Sequence, residues 1–395
     1  MLTRRNFLAS GIAATISHRC LAQQPTSPSI QTSLLIPEQF RSGPNYTLAA
    51  QTGVAAHHYQ FRIMTRWGML PASGINQLRI RLYEMQCLEL AMDERWQLQS
   101  IQGAFDSLEK TPEGALLILR DPIGTLLRTP RGLQKLVGQR LNEIDKRAGG
   151  STRRELAARL GCDPETTNPL LARMLDEIST RNKVGKIAAR IGMSVAVPGL
   201  GLLALNTDIE KTVTTYLPSE INRSLDQHLA RAGVRRSIRQ QFLTNMAFTT
   251  TEKLVLMEYL KILSEVSGRY SLIENAAAAT NETQALAVLE ETARLVTLHR
   301  KEPLNEIRFI GLTCCRRKSG PQVLVASVDY LSATPDVQTM AQTIRKQFPM
   351  GEVELQILGT CSTGAREILE KSEITVKHQL REEFSVPELD DKQSK

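Results

Sequence analysis

Apolar positions recur at intervals of three and four through the middle of the chain and switch to alternation near its end. Ile75, Leu78, Leu82, Met85, Leu88 and Met92 make one stripe, which predicts an amphipathic helix from Ile75 with Arg79, Arg81, Glu84 and Glu89 on its other face. Helices are also expected over 98–108 and from Leu133 to Ile144. After the break at Gly149-Gly150-Ser151, Thr152 and Glu155 have the spacing of a capping box. Residues 152–160 and 166–175 then read as a helical hairpin turning at Gly161-Cys162-Asp163-Pro164. From Ser219 to Arg300 the helical period returns, with one helix ending at Gly233 and another opening at Thr249-Thr250-Thr251-Glu252. Ahead of Ile75 the signal is weak. Residues 23–50 are rich in Gln, Pro, Ser and Thr and read as an exposed leader with little core of its own.

At Pro303 the texture changes. Ile307–Leu312 and Val323–Val328 read as strands, Pro335 opens a helix, and Val353, Leu355 and Ile357 alternate with Glu352, Glu354 and Gln356. Gly359–Gly364 turns into a further helix, and Ile374, Val376, His378 and Leu380 alternate as a last strand. The expectation is a mainly α protein. An extended leader or linker (23–74) precedes a helical N-terminal and central body (75–300), followed by a small C-terminal α/β sheet domain (303–384) and a flexible tail (385–395).

The N-terminus carries paired Arg4 and Arg5, then Phe7 and Leu8, then a short apolar run of small residues to Ser17. This resembles the twin-arginine signal peptide of bacteria, which implies export of a folded chain to the periplasm or beyond. The apolar run is far shorter than the roughly 20 residues that a membrane span needs. Cys20-Leu21-Ala22 places small residues where a signal peptidase reads, so residues 1–22 are taken as the signal. The stretches Leu160-Gly161-Cys162-Asp163-Pro164-Glu165-Thr166-Thr167-Asn168-Pro169 and Val328-Asp329-Tyr330-Leu331 give the mature region a resemblance to an uncharacterised family of exported bacterial proteins, which implies no activity.

Composition is ordinary for a globular protein, 42% hydrophobic and 23% charged. The formal charge of +8 falls to +5 once the three arginines of residues 1–22 are removed. That balance suits an anionic envelope surface and is too small to argue for nucleic acid. The helix-turn-helix look of 152–175 therefore reads as an ordinary hairpin. Removal of Cys20 leaves five cysteines, an odd number, and a bridge from Cys314 or Cys315 to Cys361 is open in an oxidising compartment.

Chemistry is expected around Gly359–Gly364, where a strand ends and a helix begins, the position at which ligands gather in α/β sheets. Thr360, Ser362, Thr363 and Gly364 are the candidate ligand-binding residues, since backbone N–H groups at a helix start favour an anion. Cys361 is the candidate nucleophile, with His378 as its base and Asp329 at the end of a neighbouring strand. Each also has a plain structural reading: cap, buried hydrophobe, packed core histidine, turn cap. No standard cofactor or metal motif is present, so no cofactor is assigned and no metal is expected; His57-His58 would need distant partners to bind one. Three functions stay open. They are a non-catalytic binding or scaffold protein of the cell envelope, a thiol-dependent hydrolase or transferase centred on Cys361, and a peripheral membrane-surface protein docking through residues 184–205. No transmembrane helix is expected in the mature chain.

Overall fold

The computed structural model describes residues 29–92, 153–160, 162–180, 209, 212, 213 and 215–381. The signal motif, the helices expected over 98–108 and 133–144, the 184–205 segment and the tail from 385 lie outside the described residues.

The first 45 described residues correct both the mainly α expectation and the extended-leader reading. They form a six-stranded antiparallel sheet with a core of its own. Its strands are β1 (Ser29–Gln31), β2 (Ser42–Gly43), β3 (Tyr46–Leu48), β4 (Gln51–Ala55), β5 (His58–Thr65) and β6 (Gly68–Ser73). β5 is the spine. It pairs with β4 and β3 along one edge and with β6 along the other. Tyr59, Phe61 and Ile63 point inward while Arg62 and Met64 face out, the period of two expected of a half-buried strand. A two-residue turn, Ala56-His57, joins β4 to β5 with both residues at positive φ (48° and 65°). That backbone matches the twist of a hairpin, and it is an unusual one for residues other than glycine.

The helix expected from Ile75 is present as α1 (Ile75–Met92), and Ile75, Leu78, Leu82, Met85 and Leu88 are buried as the stripe requires. Arg81 and Glu84, expected on the outer face, are buried instead. Two more helices, α2 (Arg153–Leu160) and α3 (Pro169–Thr180), cover that side through Leu156, Leu160, Leu171 and Leu175. Arg81 there pairs with Glu84 (2.9 Å) and with Glu282 (2.9 Å) and also bonds Thr167.

Among the described residues the helices α4 (Pro218–Arg231), α5 (Arg236–Thr244), α6 (Thr250–Ile262), α7 (Ser271–Ala278) and α8 (Glu282–Lys301) follow. The expected cap of α6 is made reciprocally. Thr249 Oγ1 accepts from the Glu252 N–H, and the Glu252 carboxylate accepts from the Thr249 N–H.

The C-terminal sheet has five strands: β7 (Leu304–Phe309), β8 (Thr313–Arg317), β9 (Gln322–Ala326), β11 (Val353–Ile357) and β13 (Ile374–Lys377), in the order β13-β11-β9-β8-β7. A short parallel pair, β10 (Tyr330–Leu331) with β12 (Thr360–Cys361), extends it past the ends of β9 and β11. β9, β11 and β13 run parallel, with α9 (Pro335–Gln347) and α10 (Thr363–Lys371) as crossovers; β7, β8 and β9 are antiparallel. Alternation along β9 divides the core. Val323 and Val325 join the cluster built with the preceding helices, while Leu324 and Ala326 pack with α9 and α10. β8 was not expected from the sequence; it falls on the basic stretch Cys314-Cys315-Arg316-Arg317-Lys318. Gly268 (φ 71°) lets the chain reach the open edge of β7. A Cβ there would lie 2.2 Å from the Ile307 carbonyl oxygen, so no larger residue fits this approach.

Candidate functional site

The carboxyl ends of β9, β11 and β13 meet one buried polar cluster. Ser327 and Asp329 follow β9, Gly359 follows β11, and Arg381 follows β13. Glu290 and Glu291 enter from α8. The β4–β5 turn enters from the N-terminal sheet and closes the crevice.

Asp329 is the hub. Its side chain is fully enclosed, and its carboxylate accepts from the Tyr59 N–H (3.0 Å), the Ile75 N–H at the start of α1 (3.4 Å) and the Arg381 guanidinium. His58 Nδ1 stands 3.5 Å from Oδ2. The Asp329 and Tyr330 N–H groups both donate to the His57 carbonyl (2.9 and 3.1 Å). The Tyr59 ring stacks on Tyr330 at 6.4 Å between centroids. Arg381 spans the cluster: it binds Asp329 with one nitrogen and Glu290 with two, at 2.6 and 2.8 Å. This two-pronged pairing is what a planar guanidinium offers a carboxylate. Glu290 also accepts from Ser327 Oγ. Glu291 accepts from Thr313 Oγ1 (2.5 Å) and the Ser327 N–H (3.2 Å).

The acids separate by partner. Burial pushes Asp329 and Glu290 up, but the charge of Arg381 and the hydrogen bonds to each outweigh it, so both stay ionised well into acid. Glu291 has hydroxyl and amide donors but no arginine, and burial pushes it up to about 7, with Glu290 beside it adding to the rise. Burial likewise pushes Glu252 up to about 8 and Asp163 up to about 6. These three acids hold protons in the folded state that the unfolded chain releases near pH 4. Their stabilisation is therefore complete below that pH and is lost as pH rises through 6 to 8. Asp329 and Glu290 act in the opposite sense and lose stabilisation below about pH 4. Stability is thus expected to peak near pH 4 and to decline toward pH 8. Glu291→Gln should reduce that decline by on the order of 2 kcal/mol, checked by urea denaturation at pH 5 and pH 8. An unchanged decline would contradict the assignment.

The sequence placed Asp329, Cys361 and His378 as one catalytic group. Asp329 turns toward the N-terminal sheet. Cys361 is 1% exposed and belongs to the apolar cluster under α9 and α10. His378 follows β13 and is partly exposed, just ahead of Gln379, whose N–H bonds the Gly359 carbonyl. The candidate ligand loop is also occupied. The N–H groups of Gly359, Thr360 and Ser362 donate to the carbonyls of Val328, Asp329 and Leu331 (all 2.9 Å). Thr360 Oγ1 donates to the Asp329 carbonyl, and Ser362 is a plain N-cap, accepting from the Ala365 N–H. Thr363 and Gly364 form the first turn of α10. Cys314, Cys315 and Cys361 are free thiols; burial pushes Cys314 up to about 11 and Cys315 up to about 12.

Glu290, Glu291, Arg381 and His58 were missed as partners. Glu290-Glu291 sits in an amphipathic helix where a solvated face is the default reading, and Arg381 opens the charged stretch Arg381-Glu382-Glu383 at the end of the 303–384 domain. One signal was available: Asp329 interrupts a near-continuous apolar run, and a buried acid needs a buried base.

The comparisons with known proteins find no match for this chain. That holds for protein-family models, for curated proteins and for solved structures alike. Among the described residues no helix is long and apolar enough to cross a membrane, and no group of three His, Cys, Asp or Glu side chains is placed to hold a metal ion.

Proposed function

We propose that this chain is an exported, non-catalytic binding or scaffold protein of the bacterial cell envelope. The observation that supports this most is the use made of Asp329. The acid at the crevice, where an α/β enzyme would keep its reactive groups open, is filled by backbone and arginine donors from three distant segments. A carboxylate so engaged fixes one part of the chain against another. The Cys361 sulfur, enclosed among apolar side chains, has the surroundings of a structural thiol. The export half of the proposal rests on Arg4, Arg5, Phe7 and Leu8.

Both halves are tested on the full chain. Cross-linking followed by osmotic-shock fractionation should recover it from the periplasm joined to an envelope component. The Arg4→Lys/Arg5→Lys form should stay in the cytoplasm without that adduct. Recovery of the unaltered chain from the cytoplasm would refute export. Iodoacetamide applied to the native protein should leave Cys361 unlabelled over hours while a denatured sample labels fully. Labelling of native Cys361 within minutes would refute the non-catalytic reading.

A further inference from the structure

Between Pro218 and Thr244 the chain carries five arginines, no lysine and two acids, Glu220 and Asp226. Helix α4 buries Ile221, Leu225 and Leu229, and α5 buries Phe242, so each leaves a side to solvent. Asp226 pairs with Arg239 (2.8 Å) and ties the two helices together. Arg235 pairs with Glu274 of α7 (2.9 Å). Glu220 turns back to its own helix start and accepts from the Leu217 N–H (2.7 Å). That leaves Arg223, Arg231 and Arg236, all exposed and all without an ion pair among the described residues.

Arg223, Gln227 and Arg231 follow at steps of four and share one outward strip of α4. The exposed positions of α5 are Arg236, Ser237, Gln240, Gln241 and Thr244, with no acid among them. Other exposed cations stand against acids: Arg308 and Arg316 against Glu306, Lys371 against Glu367, and Lys377 against Glu354. A second observation concerns apolar side chains. Tyr216 (51% exposed) and Leu217 (49%) immediately precede α4, and Met246 (94%) follows α5. An anionic polymer offers such side chains nothing to enter. The headgroup zone of a bilayer takes both kinds, arginine at the phosphates and the larger apolar groups at the acyl boundary.

We propose that the α4–α5 pair is the surface by which this protein docks on a bilayer of anionic lipid. Arg223, Arg231 and Arg236 present planar forks, each able to bind lipid phosphate through two hydrogen bonds. Leu217 and Met246 enter the edge of the apolar layer. The contact is reversible and salt-sensitive, and it requires no spanning helix. The surface is separate in sequence from residues 184–205, where membrane docking was expected. The proposal rests on the reading of the chain as an envelope-binding protein and gives that reading a partner, the lipid surface.

The test sediments the purified full chain with vesicles of phosphatidylcholine alone and of phosphatidylcholine containing one-third phosphatidylglycerol, in low and in high salt. The chain should bind the anionic vesicles in low salt, leave them in high salt, and ignore the neutral ones. Arg223→Gln/Arg231→Gln/Arg236→Gln should weaken binding by on the order of 100-fold. Leu217→Ser/Met246→Ser should weaken it about tenfold. Lys301→Gln/Lys318→Gln/Lys346→Gln removes the same charge from exposed positions on α8, the β8–β9 turn and α9. It should leave binding within about threefold. No binding to anionic vesicles, equal binding to neutral ones, or equal losses from the arginine and lysine sets would overturn the proposal. So would an unchanged affinity in Leu217→Ser/Met246→Ser, which would mark the surface as purely ionic. The vesicles contain no other protein, so such a failure removes the lipid partner alone. Export and envelope binding are read separately, by the periplasmic fractionation.

Discussion

Replacing Arg381 with methionine should cost about 3–5 kcal/mol of folding stability at pH 7. The guanidinium is the cation that faces both Asp329 and Glu290 directly, and its side chain is only 8% exposed. Methionine fills much of the same volume and supplies no charge, so two enclosed carboxylates lose their counterion. They would recover by taking up protons, which makes the loss smaller at pH 5 than at pH 7. Arg381→Lys keeps the charge but not the fork that holds Glu290 with two bonds. It should cost about 1–2 kcal/mol. Guanidinium or urea titrations at the two pH values check both substitutions. A loss below 1 kcal/mol for Arg381→Met would contradict the role assigned to the cluster.

Gly359→Ala is the second large expectation. A Cβ at this position would stand 2.2 Å from the Asp329 carbonyl oxygen and 2.4 Å from that of Val328. Both are backbone atoms already committed. Val328 accepts from the Gly359 N–H, and Asp329 accepts from the Thr360 N–H and from its hydroxyl. Relief therefore requires β10 and β12 to separate, which also drags Asp329 away from Arg381 and Tyr59. A loss of about 3 kcal/mol is expected by chemical denaturation. A change under 0.5 kcal/mol would show that the strands tolerate more space than their hydrogen bonds imply.

The two substitutions touch different atoms of one device. The N-terminal sheet, α1 and the C-terminal sheet converge on the Asp329 carboxylate, and α8 joins them through Glu290 and Arg381. The turn that reaches it, Ala56-His57, holds two non-glycine residues at positive φ. Docking offsets that cost, because the His57 carbonyl receives two N–H groups from the Val328–Leu331 segment.

Much of this was legible in advance, and the limits are physical. The stripe from Ile75, the Thr249/Glu252 cap and the strand at Val353–Ile357 are local patterns, and each element is present, although that strand is buried along its whole length where its alternation with Glu354 and Gln356 predicts one solvated face. The N-terminal sheet was misread, although β5 alternates over eight residues. Residues 23–50 are rich in Gln, Pro, Ser and Thr, the composition of a leader, and Gly53 and Pro71 interrupt the strands beside β5. Composition and period disagree in this segment, and period is the better guide. The burial of Arg81 and Glu84 could not be read locally. Their covering helices, α2 and α3, come about 70–95 residues later. The candidate site shows the same division. Asp329 does follow the end of β9, but its partners come from 52 to 271 positions away. Neither spacing nor composition carries such pairings in a single sequence.

The most direct measurement is a double-mutant cycle between Asp329 and Arg381, using Asp329→Asn, Arg381→Met and the combined substitution, read by urea denaturation at pH 7. If the pair holds the two sheets together, the substitutions should be strongly non-additive, with a coupling of about 2 kcal/mol or more. Additive losses, within about 0.3 kcal/mol, would mean that Asp329 is not held by Arg381. The crevice would then have to be read again as a site with its acid left open for chemistry.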